Sequence, residues 1–391
     1  MHLQSNRAGT LRENVTDQRV YESFVPAKLP PTPALELDAN DVRLLRDIYI
    51  TLGRLQEALD NMPSRQAFLG LSAVSEAVFS SRIEGIDVCI DDLLKPWPSP
   101  YDRKLTVESL ARMTERAHRV VSPAKKGRLN RELLCAAHRE LLGEERFRDM
   151  TAGFPRVTQV WIAREGGEPQ TALFVPPNPE DMQTALGELE AFMKAETPEI
   201  DPVVKAALIH YQFETIHPFA DGNGRLGRLL FLFSLLEAGV LTWPHLETAY
   251  FLKLNQRDYY DRLTAVRERG SYEEWIRFVL LITKTAAEES LASVHRWARL
   301  RRESEEKIKA IEKGARTLER QLRFLDFLEN NPIVDIKRIS FVLGLTYPTA
   351  SKMAQTFADL GILTETTGRK RDRLYEYKAA LAIFRKESAS V

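Results

Sequence analysis

Twelve consecutive residues, His217 to Arg228, combine groups that suit the binding and transfer of phosphate. Their sequence is HPFADGNGRLGR. Glycines let the backbone approach an anion closely, and the N–H groups at a helix start favour phosphate there. Arg225 and Arg228 lie one helical turn apart and can donate to phosphate oxygens, while Asp221 can bind Mg²⁺ that bridges those oxygens. His217, with an ordinary pKa of ~6.5, can accept a proton from a hydroxyl.

Two predicted helices position this stretch. Residues 202–216 are apolar along one side, and Pro218 ends that helix, so His217 faces a loop. Residues 225–238 are apolar on nearly all sides and predict a central buried helix that closes at Gly239. HPF and DGNG are each typical of ordinary turns, but a turn alone does not need the two arginines that follow. The GxxxxGK[ST] pattern of a P-loop is absent.

The motif resembles that of the Fic family, HPFx(D/E)GNGRxxR, at all of its specified positions. The resemblance implies a mainly helical fold and AMPylation, in which AMP passes from ATP to a Ser, Thr or Tyr hydroxyl of a protein target or of the enzyme itself. His217 would be the catalytic base and Asp221 the Mg²⁺ ligand. The ATP-binding residues implied are Glu84, Val160, Trp161, Ile162, Ala163, Gly222, Asn223, Gly224, Arg225, Leu226, Gly227, Arg228, Tyr259 and Tyr260.

Two positions refine what the resemblance implies. Doc-type relatives act as protein kinases and have a lysine where this chain has Gly224, so glycine favours transfer of AMP. Tyr259 and Tyr260 are expected to border adenine. Arg267 stands where some relatives have an asparagine near the base, which weakens the expectation of adenine recognition.

A β-hairpin is predicted ahead of the motif, because β-forming residues flank Gly166 and Gly167. Its arms are residues 157–163 and 172–175. The pattern alone is also that of an ordinary surface hairpin. By resemblance it is the family's flap, which aligns the target segment through backbone pairing.

Glu84 lies at the end of a predicted helix over residues 66–85, where the helix dipole disfavours a carboxylate by up to ~1 kcal/mol unless a cation compensates. Ser80 is one turn earlier and can steady the carboxylate. A solvated glutamate at a frayed helix end would have the same sequence. SSRIEG resembles the family's inhibitory pattern (S/T)xxxE(G/N) at Ser80, Glu84 and Gly85. By resemblance Glu84 pairs with Arg228 and obstructs the γ-phosphate.

Two other functions stay open at this point. In some Fic relatives the inhibitory glutamate positions a water that removes AMP, so Glu84 is also compatible with a de-AMPylating enzyme. The second is a DNA-binding regulator whose Fic core senses nucleotide. It depends on a predicted C-terminal winged helix-turn-helix, whose recognition helix would begin near Tyr347. Its candidate DNA-binding residues are Thr349, Ser351, Lys352, Arg369, Lys370 and Arg371. Winged helices also dock proteins.

With 391 residues the chain exceeds one ordinary domain. The predicted units are an extended arm (1–36), a helical region with the inhibitory helix (37–120), a Fic core (121–290), a connecting helix (291–317) and the winged helix (318–391). Its 55 basic and 55 acidic side chains balance, so overall charge favours neither nucleic acid nor membrane partners.

The chain has two distant cysteines, Cys89 and Cys135, and lacks an apolar segment of ~20 residues. We therefore predict a cytoplasmic protein without a membrane span. A homo-oligomer stays open.

Overall fold

The protein is mainly α-helical, as predicted. The computed structural model describes residues 3–16, 19–95, 111–112, 129–142, 151–163, 172–311, 314–369 and 371–386. Within these ranges, no helix has the length and apolar content needed to cross a membrane.

The N-terminal segment forms a β-hairpin instead of the extended arm predicted for residues 1–36. Strands β1 (Gly9–Thr16) and β2 (Arg19–Pro26) pair antiparallel. The Phe24 ring is buried in the core, and the N–H of Phe24 donates to the Val175 carbonyl at 2.9 Å. The polar, proline-rich composition suggested an unpacked arm, because composition does not show that Phe24 packs in the core.

Two long helices follow the hairpin. Helix α1 (Ala39–Asp60) begins at Asp38, whose carboxylate accepts hydrogen bonds from the first-turn N–H groups. The Asp41 carboxylate accepts the Asp38 N–H in return, which completes a capping box. Helix α2 (Arg65–Ile83) is the predicted inhibitory helix, and Glu84 is the residue directly after it.

The central region is a bundle around two buried helices. Its helices are α3 (Ile90–Leu94), α4 (Arg131–Leu142), α5 (Pro179–Lys194), α6 (Pro202–Ile216), α7 (Asn223–Glu237), α8 (Thr248–Leu254), α9 (Gln256–Arg269) and α10 (Tyr272–Ile311). Helices α6 and α7 pack against each other, and most residues of both are buried. Because neither has a solvent-facing polar side, the bundle must enclose them.

The chain between Thr248 and Ile311 divides differently from the predicted units. Helices α8 and α9 meet at Asn255. Helix α10 has 40 residues and continues without a break past residue 290, where the predicted Fic core ends, through most of the predicted connecting helix. The buried Trp297 explains this continuity, since it packs within 5.8 Å of Phe68, so this part of α10 is not a solvated linker.

The C-terminal unit combines helices with a small sheet. Its elements are α11 (Ala315–Asn330), β3 (Ile333–Asp335), α12 (Ile336–Leu343), α13 (Tyr347–Asp359), β4 (Thr364–Glu365), β5 (Leu374–Glu376) and α14 (Lys378–Arg385). The strand order is β3–β5–β4, with both pairs antiparallel. This order is compatible with a winged helix-turn-helix, and that assignment stays a prediction.

Candidate active site

The loop of the motif connects the end of α6 to the start of α7. His217 ends α6 in the left-handed conformation, with φ of 49° and ψ of 61°. Only a few per cent of non-glycine residues have a positive φ, and such strain tends to occur at functional positions. Gly222 precedes α7 with φ of 80°, which favours glycine. The motif therefore holds its histidine in a backbone conformation that the surrounding structure must enforce.

The side chain of Asn223 holds this loop closed. It is buried, and its Oδ1 accepts the N–H of Phe219 at 2.9 Å. Its Nδ2 donates to the Phe219 carbonyl at 2.8 Å. One amide thus satisfies both backbone groups of a residue inside the loop, so the asparagine of the motif has a structural task in addition to its expected place at the phosphates.

We predict that Asn223→Ala lowers the free energy of unfolding by about 2–4 kcal/mol, because both backbone groups of Phe219 stay buried and lose their partner. Urea denaturation of the purified protein measures the change. Asn61→Ala is the control, since Asn61 is exposed and its Nδ2 donates to the Glu57 carbonyl at the end of α1. A loss for Asn223→Ala no larger than that of the control would contradict this role.

The first turn of α7 presents its N–H groups to a carboxylate. Leu226 donates its N–H to the Gly222 carbonyl, and the N–H groups of residues 223–225 precede this first helical bond. A Cβ atom at position 224 would collide with Oε1 of Glu84. The end of α2 thus places a negative group against the helix start, where an anion is favoured.

Arg228 is held by the last turn of α2. Its Nη2 donates to Glu84 Oε1 at 2.8 Å and to the Ser80 carbonyl at 2.8 Å, and its Nε donates to Ser80 Oγ at 2.8 Å. The Arg228 side chain is 3% exposed and that of Glu84 is 33% exposed. Ser80 thus contacts Arg228 directly, whereas the sequence suggested that it would steady Glu84. Gly85 follows with φ of 75° and ends the helix.

His217 is electrostatically suited to accept a proton. Burial lowers its pKa to about 4, and the positive charges of Arg156 and Arg267 also lower it. The imidazole is therefore neutral at pH 7, which is the form that a general base requires.

Two regions of the chain match known sequence profiles. Residues 128–235 match the Fic/DOC family, and residues 42–109 match the Fic/DOC family N-terminal region. Both matched regions are those of Fic/DOC proteins. The first region contains the complete motif, and the second contains Ser80 and Glu84, so the contact between Glu84 and Arg228 joins the two Fic regions.

The curated relatives are adenylyltransferases by name. "Protein adenylyltransferase Fic" of Nematostella vectensis is 34% identical over 157 residues, which are 40% of this chain and 33% of that protein. "Protein adenylyltransferase fic-1" of Caenorhabditis elegans is 31% identical over 161 residues, which are 41% of this chain and 27% of that protein. The matches thus span about a third or less of the length of these relatives.

A crystal structure of a Fic family protein from Desulfovibrio desulfuricans G20 has a similar fold. The superposition covers 88% of this chain and 97% of that chain, with a TM-score of 0.55 and 20% sequence identity. The likeness therefore extends well beyond the Fic motif and includes most of the helical architecture.

The two tyrosines expected beside adenine differ in accessibility. Tyr260 is 44% exposed, whereas Tyr259 is 1% exposed. The Tyr259 hydroxyl bonds to Nε2 of His210 at 2.9 Å, and its ring lies 6.0 Å from that of Trp275. Tyr259 is thus a core residue, and Tyr260 is the one of the pair that a ligand can contact. The helical period separates adjacent residues by about 100°, so both could not face the same side.

Two other residues expected to bind ATP, Leu226 and Gly227, lie in the interior. Leu226 is completely buried, and a Cβ atom at position 227 would collide with Oε1 of the buried Glu214. Arg267 is buried too, and its guanidinium lies 3.8 Å from the centre of the Phe174 ring. Arg267 therefore packs on Phe174 of the predicted flap, and none of its described contacts places it beside a nucleotide.

The predicted flap is present as two arms with one bridge. Ile162 and Phe174 form an isolated antiparallel bridge, with the Ile162 N–H donating to the Phe174 carbonyl at 2.8 Å. Trp161 and Ile162 are exposed, and Val160 and Ala163 are partly buried. The expected turn at Gly166 and Gly167 lies outside the described residues. The arms are close together but form less regular strand than the sequence suggested.

Two further residues support the Fic loop and were missed by sequence reasoning. His138 of α4 stacks on Phe219 with ring centroids 3.9 Å apart. Its Nδ1 accepts the Gly153 N–H, so Nε2 carries the proton and donates to the Asp221 carbonyl at 2.8 Å. Arg156 donates to the carbonyls of His217, Thr158 and Pro177, at 2.9, 3.0 and 2.6 Å. Neither residue belongs to a local pattern that could have revealed it.

The residues predicted to contact DNA lie on the C-terminal unit. Thr349, Lys352, Arg369 and Arg371 are exposed, and Ser351 is partly buried. Lys370 lies outside the described residues. DNA binding stays a prediction, as no contact or comparison tests it.

Proposed function

We propose that this Fic protein is a protein adenylyltransferase that transfers AMP from ATP to a hydroxyl of a protein, and that Glu84 restrains it. The observation that carries the proposal is the complete Fic motif folded between α6 and α7, with His217 ending α6 and the Glu84 carboxylate against the helix start of α7, where an anion is favoured. The names of the curated relatives support the same activity.

The residues of the motif would divide the reaction among them. His217 accepts the proton of the target hydroxyl, and the hydroxyl oxygen forms a bond to the α-phosphorus of ATP. The bond between that phosphorus and the bridging oxygen breaks, and pyrophosphate leaves. The N–H groups at the start of α7 and the guanidinium groups of Arg225 and Arg228 oppose the negative charge on the phosphates.

Asp221 fits the role of a Mg²⁺ ligand. Its side chain is 57% exposed, and Oδ1 accepts the Gly222 N–H at 2.7 Å, which orients the carboxylate. Among the residues that the structure describes, no three His, Cys, Asp or Glu side chains form a metal cluster. Mg²⁺ commonly takes one or two carboxylates together with substrate phosphates, where it neutralises phosphate charge. Asp221 would supply that carboxylate.

Labelling with two forms of radioactive ATP tests the proposed reaction. Glu84→Gly protein is incubated with Mg²⁺ and with ATP labelled either at the α- or at the γ-phosphorus, and labelled protein is analysed by gel and mass spectrometry. Label from α-ATP alone supports AMP transfer. Label from γ-ATP alone would identify a kinase and contradict AMP transfer. The absence of label on both the protein itself and the proteins of a cell extract would also contradict AMP transfer. Release of AMP from pre-modified protein would instead identify the AMP-removing activity.

The rate of transfer by Glu84→Gly is expected to be nearly constant between about pH 6 and pH 8. The basic form of His217 is already complete there, because burial lowers its pKa to about 4. Protonation removes the base only as the pH falls through that value. Glu84 raises this pKa, so its loss moves the descending limb to still lower pH. Initial rates across buffers of constant ionic strength measure this, and a midpoint near pH 6.5 would contradict a base whose pKa is lowered.

A further inference from the structure

The C-terminal helix α14 packs directly on the inhibitory helix α2. The Phe384 ring lies 5.3 Å from that of Phe68 in α2 and 5.7 Å from that of Trp297 in α10. The Phe384 carbonyl accepts the hydroxyl of Ser75 at 2.9 Å, in a buried position. The unit at the end of the chain is thus in contact with the element that carries Glu84.

A second contact from α14 holds the chain beyond Glu84. Arg385 donates from Nε and Nη2 to the two carboxylate oxygens of Asp91 in α3, each at 2.8 Å. It also pairs with Glu376 of its own unit at 3.1 Å. Ser75 precedes Glu84 and Asp91 follows it, so one short helix fixes the chain on both sides of the inhibitory carboxylate.

Lys386 adds a third attachment on the surface that supports α2. It forms a buried ion pair with Glu247, the residue before α8, and lies 4.7 Å from the centre of the Tyr250 ring. Helix α8 in turn bonds to α2, since Oε1 of Glu76 accepts the Thr248 hydroxyl at 3.0 Å and the Ala249 N–H at 2.9 Å. Lys386 thus anchors α14 to α8 where α8 meets the inhibitory helix.

These contacts bear on Glu84 because a helix moves as a stiff element. Ser75 and Glu84 are nine residues apart, which is ~14 Å along a helix. The last turn of α2 also holds Arg228 through Ser80, so displacing α2 separates both groups from that arginine. A carboxylate that must leave for ATP to bind is therefore controlled by whatever fixes its helix.

We propose that Arg385 is a positioning residue for the inhibitory glutamate, and that α14 holds α2 in the orientation in which Glu84 occupies Arg228. This inference rests on the proposed restraint by Glu84. It makes the C-terminal unit part of the inhibitory apparatus, whatever that unit binds. Loosening α14 then activates the enzyme without any change in the motif or in Glu84 itself.

The test compares Arg385→Ala and Asp91→Asn with Lys378→Ala in the full chain. Lys378 is exposed at the start of α14 and is the matched control. We expect Arg385→Ala and Asp91→Asn each to raise the affinity for a non-hydrolysable ATP analogue, and self-labelling by α-labelled ATP, by about tenfold. The double variant should gain no more than either single one. In a Glu84→Gly background neither substitution should add anything, and Arg385→Lys should restore part of the inhibition.

Hydrogen exchange separates this inference from the proposed function. The amides of Gly85 and Ile86 bond to the carbonyls of Arg82 and Ser81, and they should exchange faster in Arg385→Ala than in Lys378→Ala. Faster exchange with no AMP transfer in any variant would support the inference that α14 holds α2 and would overturn the proposed activity. Unchanged exchange and unchanged analogue affinity in Arg385→Ala would overturn the inference, as would equal activation by the same substitution without Glu84.

Discussion

Glu84→Gly is expected to increase self-labelling from α-labelled ATP by about 10- to 100-fold. In the structure, the carboxylate bonds to a buried guanidinium and lies against Gly224 at the start of α7. In the proposed mechanism ATP cannot place its terminal phosphate at Arg228 until this contact breaks. The free energy of the contact therefore reduces the free energy of productive ATP binding. A hydrogen bond between charged groups contributes about 1.5–3 kcal/mol, which sets the expected factor.

A control must separate the loss of the carboxylate from the effect of glycine at a helix end. Asn61→Gly provides it, because Asn61 follows α1 with φ of −90° and ψ of 2°, close to the −84° and 11° of Glu84. Glu84→Gln keeps the shape and removes the charge, and it should give an intermediate increase. Transfer by Glu84→Gly that is no faster than by Asn61→Gly would refute the inhibitory role.

The second large effect concerns the base. In the Glu84→Gly background, His217→Ala should reduce the rate of AMP transfer by at least ~100-fold while ATP binds with unchanged affinity. The imidazole removes a proton from the attacking hydroxyl, and it contributes nothing to holding the nucleotide in the proposed mechanism. Single-turnover transfer measures the rate, and calorimetric titration with ATP measures the affinity.

His295→Ala is the matched control for this loss, since His295 is exposed on α10. Thermal melting of both variants checks that the fold survives the change. A fall in ATP affinity as large as the fall in rate would show that His217 holds the substrate. A rate within a factor of about three of the parent would show that another group accepts the proton.

The central helices and the motif could be predicted because their signals are local. The apolar pattern of residues 202–216, the stop at Pro218 and the glycines after it are all visible within one stretch of sequence. The place of Glu84 also came from a short pattern. Its contact with Arg228, 144 residues away in sequence, came only from the family resemblance.

The remaining features depend on contacts between distant segments. Arg156 reaches three carbonyls from two regions, and no spacing in the sequence distinguishes it from other arginines. The hairpin near residue 20 packs on the bundle because the Phe24 side chain is buried in the core, although this region is mostly polar and proline-rich in sequence. Tyr259 and Tyr260 look equivalent in sequence, and only the packing around His210 shows which of them is inside.

The uninterrupted course of α10 determines where this protein can be divided. At 1.5 Å per residue its 40 residues extend ~60 Å, and both Trp275 near its start and Ile308 near its end are buried. A fragment that stops at residue 290 would end within α10 and would lack Trp297, which packs against Phe68. Recombinant fragments that contain only the family-matched regions would therefore expose Phe68 and its apolar surroundings and would aggregate more readily than the full chain, in which they are covered.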